Sequence, residues 1–242
     1  MRLYLTIALV LLQVCSFGQE TETPSSKFSF GFSFSPDYAY RKLKNSGGTN
    51  NESIIDFRNS SERPKLGITT GLRVLYQLST KWKLELGALY SDKGEQETWN
   101  SSSNIDPRKG FVFGEYSSMK YIYHYQYIDI PLKVNYTISS KRLNLFVSGG
   151  VSTNFFLNNT TTSRLEKEDG TVTTNRSSGA DLLPVNFSAM IGFGANYQLN
   201  HCLSIRLEPE FRHSITSIID AEVKQYPYSF GVNTGIIVLL NR

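Results

Sequence analysis

Residues 27–35 alternate without a break: Phe28, Phe30, Phe32 and Phe34 fall on one side of an extended chain, and Ser29, Gly31, Ser33 and Ser35 on the other. Successive side chains of a strand point to opposite faces, whereas a helix would scatter the four rings around its circumference. The segment is therefore a strand with one greasy face and one small, polar face. The same alternation recurs at 67–78, 82–91, 126–138, 185–198, 203–212 and 228–240, and less regularly at 143–153, where Phe146 falls on the small side. In 82–91, for example, Trp82, Leu84, Leu86, Ala88 and Tyr90 oppose Lys83, Glu85, Gly87, Leu89 and Ser91. This makes about eight strands, each near the ~9–11 residues that a tilted membrane-spanning strand needs. No stretch between them has convincing helical periodicity, which argues against a βαβ enzyme fold.

The connections alternate in length. Short links fall at 79–81, 139–142 and 199–202, and long, Asn/Ser/Thr/Gly-rich ones at 36–66, 92–120, 154–184 and 213–227. Loops this long are unusual inside a compact soluble domain. Short turns at one end and long loops at the other are expected of an outer-membrane barrel. The expected fold is all-β: one closed, antiparallel, eight-stranded up-and-down transmembrane barrel.

Alternation alone does not say which face is inside. A soluble lipocalin-type barrel turns its apolar face inward, and a membrane barrel turns it toward lipid. The polar face carries Arg73, Lys83, Glu85, Asp129, Lys133, Arg206, Glu208, Glu210 and Arg212 among glycines and serines. Five basic groups against four acidic ones suit an ion-paired network filling a narrow lumen, whereas a solvated face would carry more Lys and Glu. On the apolar face, a periplasmic N-terminus places Tyr76, Trp82, Tyr136 and Tyr197 near one rim and Tyr90, Phe211 and Tyr228 near the other. Those are the two aromatic girdles that a bilayer interface selects. From Trp82 to Tyr90 the strand covers roughly 20 Å at ~3.3 Å rise and ~40° tilt, close to the ~25 Å apolar band of such barrels.

Residues 1–18 read as a secretory signal peptide: Arg2 is the charged start, Leu3 to Val14 the apolar stretch, and Ser16-Phe17-Gly18 the small-residue cleavage site. The plan is thus a signal peptide (1–18), a short segment (19–26) and a barrel domain (27–242). Cleavage would remove Cys15 and leave Cys202 without an intramolecular disulfide partner. Across 242 residues the mean hydropathy of −0.27 excludes a bundle of membrane helices. A formal charge of +4 without a long basic run excludes nucleic acid as the expected partner.

The chemistry-bearing residues favour plain readings. His213-Ser214 invites comparison with the His/Ser pairs of outer-membrane deacylases, but neighbours in a strand point to opposite faces. Glu208 and Glu210 share a face, yet Arg206 and Arg212 flank them, so charge compensation is expected rather than acid catalysis. Gly192-x-Gly194 lies in a strand and lacks a third glycine, so it is no dinucleotide fingerprint. Three scattered histidines, His124, His201 and His213, make no metal site. Tyr121, Tyr123, Tyr125 and Tyr127 form a ladder suited to a strand extending above the membrane. No catalytic, cofactor or metal site is expected.

Three stretches carry a resemblance: Leu89-Tyr90-Ser91-Asp92-Lys93-Gly94, Tyr127-Ile128-Asp129-Ile130-Pro131-Leu132-Lys133 and Phe146-Val147-Ser148-Gly149-Gly150-Val151. With Gly192 to Tyr197 and the strand end at Arg212 to Ile218, the chain from about Lys27 onward resembles the PorT-like family of small outer-membrane β-barrels. The Tyr127–Lys133 stretch is the most specific part. The resemblance implies an outer-membrane location and an eight-stranded barrel. One departure is the ending Leu240-Asn241-Arg242, where many outer-membrane barrels end on an aromatic residue. The expected role is a non-enzymatic, monomeric barrel in outer-membrane lipid, meeting other envelope proteins through long outer loops. A lipid-modifying enzyme and a soluble secreted barrel for a small hydrophobe remain the alternatives.

Overall fold

The computed structural model describes residues 27–48, 51–100, 105–106, 111–112, 116–140, 142–179, 182–200 and 202–239. The expected signal peptide (1–18), the segment 19–26 and His201 lie outside these described residues. In chain order the elements are β1 (Phe28–Asn45), α1 (Asn51–Ser61), β2 (Glu62–Gln77), β3 (Trp82–Lys93), β4 (Glu95–Asn100), β5 (Ile105–Asp106), β6 (Phe111–Val112), β7 (Tyr116–Ser140), β8 (Leu143–Lys167), β9 (Val172–Ser177), β10 (Val185–Gln198), β11 (Leu203–Ser214) and β12 (Val223–Leu239).

Eight strands hydrogen-bond into a ring in the order β1-β2-β3-β7-β8-β10-β11-β12, and β12 returns to β1. Every pair in the ring is antiparallel. The seam between the first and last strands runs from Ser29↔Leu239 to Asn45↔Val223, so no edge is left for lipid to strip of hydrogen bonds. Three short turns, β2–β3, β7–β8 and β10–β11, lie at one end; Leu78 N–H donates to the Trp82 carbonyl (3.0 Å) and Leu199 N–H to that of Leu203 (2.9 Å).

The faces decide the class. Phe28, Phe30, Phe32 and Phe34 point outward and are 44–54% exposed, whereas Glu85, Lys133 and Glu208 are 0% exposed. A barrel in water would lose stability both by wetting the rings and by burying the charges. The soluble-barrel alternative is thereby overturned: the chain is built for an apolar surround. Apolar lumen residues gather near the short-turn end, where Leu75, Phe146 and Ile237 are buried.

The long links hold more structure than the alternation indicates. β1 continues past residue 35 to Asn45, and β7 and β8 are 25 residues each, pairing from Ser140↔Asn144 up to Tyr116↔Lys167. The tyrosine ladder lies in this extension. β4 replaces β3 above the ring, pairing with β2 on one side and β7 on the other. Gly94 makes the join with φ +138°, where any Cβ would overlap the Tyr123 carbonyl oxygen. β9 lengthens the tip beside β8. A further difference is α1, an 11-residue helix within 36–66, where only loop was expected. Its charges suit its dipole, with Glu52 in the first turn and Arg58 in the last.

Candidate functional site in the lumen and at the outer mouth

Inward residues from five strands meet as one alternating chain of charges. Asp37 of β1 receives Arg212 of β11 (2.8 Å), which also donates to Glu210 (2.6 Å). Lys133 of β7 joins Glu210 to Glu208, the latter at 2.7 Å. Arg206 links Glu208 (2.9 Å) to Glu85 of β3 (3.0 Å), and Arg73 of β2 closes the series on Glu85. Uncharged groups take the spare valences. Asn233 Oδ1 accepts from Arg73 (3.1 Å) and Arg212 (3.0 Å), Asn135 bridges Glu85 and Arg206, and Ser148 donates to Glu208 (2.6 Å). Buried charges are tolerable only when paired and hydrogen-bonded in this way. Gly231 makes room for it, since a Cβ there would overlap the Asp37 carboxylate and the Ser35 hydroxyl.

Seven of the nine expected lumen residues belong to this chain. Asp129 stands apart, paired with Lys93 at 3.0 Å. Lys83 lies inward as well, half-buried near the short-turn end, but it faces Arg206, a like charge, and among the described residues it makes no ion pair. The oxygens of Glu85, which it would need, are already taken by Arg73, Arg206 and Asn135. Asp37 is the member the sequence reading missed. The signal was there, because alternation continues through Asp37, Ala39 and Arg41, inward between the outward Tyr38 and Tyr40. Phe146, the irregular residue of its run, turns inward beneath the Arg206 guanidinium, 4.3 Å from its ring centre. Two spaces remaining among these lumen side chains are about 10 Å³ each.

The expected girdle residues all point outward. Near the short turns, Trp82 packs on Tyr136 and Phe28 on Tyr76, each pair 4.8 Å between centres, and Arg142 lies over Tyr197 at 5.3 Å. Near the other rim, Tyr228 meets Tyr40 (5.9 Å), Phe211 (6.1 Å) and His213 (6.3 Å), and Tyr90 pairs with Ile128. His213 belongs to this outward cluster while Ser214 is buried within, so the two cannot act together. His124 Nδ1 lies 2.8 Å from both Asp92 Oδ2 and the Nζ of the buried Lys65.

Above the lumen, α1 covers part of the mouth. Glu62 is gripped by Arg41 (2.6 Å) and Arg58 (2.8 Å). Its burial pushes the carboxyl pKa up, but the two guanidinium groups outweigh that and hold it below the usual range. Glu95 is as buried, yet Arg58 stands 3.6 Å away; the Tyr125 hydroxyl donates to it at 2.7 Å and Gln225 Nε2 at 3.3 Å. Burial, with Glu62 nearby, pushes its pKa up to about 7. A cavity of about 560 Å³ opens between these groups and α1. Among the described residues no group of His, Cys, Asp and Glu is arranged to hold a metal ion.

A ring of eight strands with outward hydrocarbon and an ion-paired interior defines an outer-membrane β-barrel. The chain belongs to the outer membrane protein beta-barrel domain family, whose model matches residues 17–221. No curated protein matches the sequence. Among solved structures, it is similar to Neisserial surface protein A at 9% identity and a TM-score of 0.48, covering 88% of this chain and 97% of that one. The outer membrane protein OprG from Pseudomonas aeruginosa shows 12% identity and a TM-score of 0.47 over 90% and 98% of the two chains. A major outer membrane protein from Thermus thermophilus shows 10% identity and a TM-score of 0.43 over 87% and 98%.

Proposed function

We propose that this chain is a non-enzymatic, monomeric scaffold of the bacterial outer membrane that meets other envelope proteins through its outer extensions. The observation that carries the reading is the division of labour along the barrel axis. The membrane-spanning part is filled by the ion-pair network that runs from Asp37 to Arg73. The outer part extends well beyond it, in β4, β9 and the upper halves of β7 and β8. Recognition elements sit in such projecting segments, on a rigid support. In this reading the chain crosses the inner membrane on a signal peptide cleaved after Gly18. The Tyr127–Lys133 segment supports kinship with PorT-like proteins; no secretion role is carried over from them.

The test is photocrosslinking in live cells from Arg176 in β9, at the tip, and from Phe32, on the lipid face. We expect Arg176 to capture specific envelope proteins, Phe32 to capture none, and lipid A to be unchanged in a deletion strain. Altered lipid A acylation would establish the enzyme reading instead, and an absence of tip crosslinks would remove the scaffold role.

A further inference from the structure

Helix α1 presents Ser53, Ile54, Phe57 and Arg58 to the mouth, and Glu62, Glu95, Tyr123 and Tyr125 face them across the cavity of about 560 Å³. That volume lies within the ~300–1,000 Å³ usual for small-molecule sites. The helix is held in place by Arg58 on Glu62 and by Phe57, which stacks on Trp99 of β4 at 5.7 Å. The walls are therefore aromatic and the deep end is acidic.

The charges are unevenly matched. Arg41 and Arg58 both make close pairs with Glu62. Among the described residues Glu95, 1% exposed, has two neutral donors and a 3.6 Å approach from the shared Arg58. A buried carboxylate without its own cation either keeps a proton or recruits a positive charge. An anionic ligand would face two carboxylates and a guanidinium already engaged. We propose that this cavity binds a small organic cation, an ammonium or guanidinium group on an apolar or aromatic body, with the charge against Glu95 and the body among Phe57, Tyr123 and Tyr125. The ring faces add cation–π attraction to the ion pair. This goes beyond the scaffold reading and does not depend on it.

Binding is coupled to a proton. The groups facing Glu95 are Arg41 of β1, Arg58 of α1, Glu62 of β2, Tyr125 of β7 and Gln225 of β12; Tyr123 of β7 carries Glu97 of β4 at 2.7 Å. With the carboxyl pKa at about 7, a cation must displace a proton in mildly acidic medium and enters freely above neutrality.

The probe is 2-phenylethylamine, titrated into the full-length barrel in detergent by calorimetry and by fluorescence. In a Trp82→Phe background the emission reports Trp99 alone, because the chain has two tryptophans. We expect saturable binding at pH 8, affinity lower by roughly tenfold at pH 5.5, and no binding of phenylacetate. Glu95→Gln keeps the size and the neutral contacts of the side chain and should weaken binding at pH 8 by roughly tenfold or more. Heat-modified gel mobility checks that the variant is folded, and Lys224→Ala, away from the cavity, should bind as the parent does. No saturable binding by the parent at pH 8, undiminished affinity in folded Glu95→Gln, equal affinity at the two pH values, or preference for phenylacetate would each overturn the proposal.

Discussion

Glu62 and Glu95 show how far partners, rather than residue type, set a carboxyl's behaviour. Both are almost fully buried in the same vestibule, yet one is held below the ordinary range and the other raised to about 7. For Glu95 the sign follows directly. Between the ordinary 4.5 and about 7, the opened vestibule ionises this group while the closed one keeps its proton. The stabilisation is fully present below pH 4.5 and lost as pH rises to about 7. The gap corresponds to ~3 kcal/mol of opening free energy. Glu62 acts in the opposite sense at lower pH, so the two windows are separate. Hydrogen exchange of the outer β4 and β7 amides should therefore quicken from pH 4.5 to 7 beyond the intrinsic chemical rate. Glu95→Gln should abolish that extra slope and hold protection near its low-pH level. A parent slope shared by the variant would assign the effect to another group.

At the scale of elements, the ring and the cap are separable. All eight ring interfaces are made by strands alone, and α1 touches them only from the mouth. Replacing Asn51–Ser61 by a Gly/Ser linker should leave heat-modified mobility and the thermal midpoint nearly unchanged. The same replacement should speed exchange of the Gln96–Trp99 amides by roughly tenfold or more, since Phe57 and Arg58 no longer shield them. Failure of that variant to close would show α1 to be part of barrel assembly. This separability also explains what could be read from the chain. Where lipid touches one face and the lumen the other, contrast is forced at every second residue, and the strands through Phe32, Leu86 and Ile191 are plain. Above the membrane, lipid no longer imposes that contrast, and tyrosine, methionine and charged side chains are buried together. Asn159 to Ser163 in β8 are all polar, and nothing in them marks a strand until β7 is beside them. Helix α1 is held by Glu62 on one side and Trp99 on the other, contacts that no local period announces. Lys83 shows the same limit: alternation gives its face, but only the packed lumen shows which acids are already occupied.

Considered whole, the molecule is a rod with a solid waist. Eight charged groups, from Asp37 to Arg73, cross it in alternation, and spaces of about 10 Å³ beside them are barely enough for one water molecule. A hydrated ion cannot pass without separating several pairs at once, each at a cost of ~3–5 kcal/mol when one partner is left behind. Lys133 is the central member, wholly buried and in contact with both Glu208 and Glu210. The parent barrel in a planar bilayer should thus show no conductance steps even in concentrated salt. Lys133→Ala removes the cation that joins Glu208 to Glu210 and leaves a gap with an excess of acid in the middle of the network. That variant should unfold at lower temperature and pass cation-selective current. Steady steps from the parent protein would mean that the ion pairs open in the membrane and that the waist is a gate. A silent but folded Lys133→Ala would place the barrier elsewhere, in the apolar ring of Leu75, Phe146 and Ile237 near the short turns.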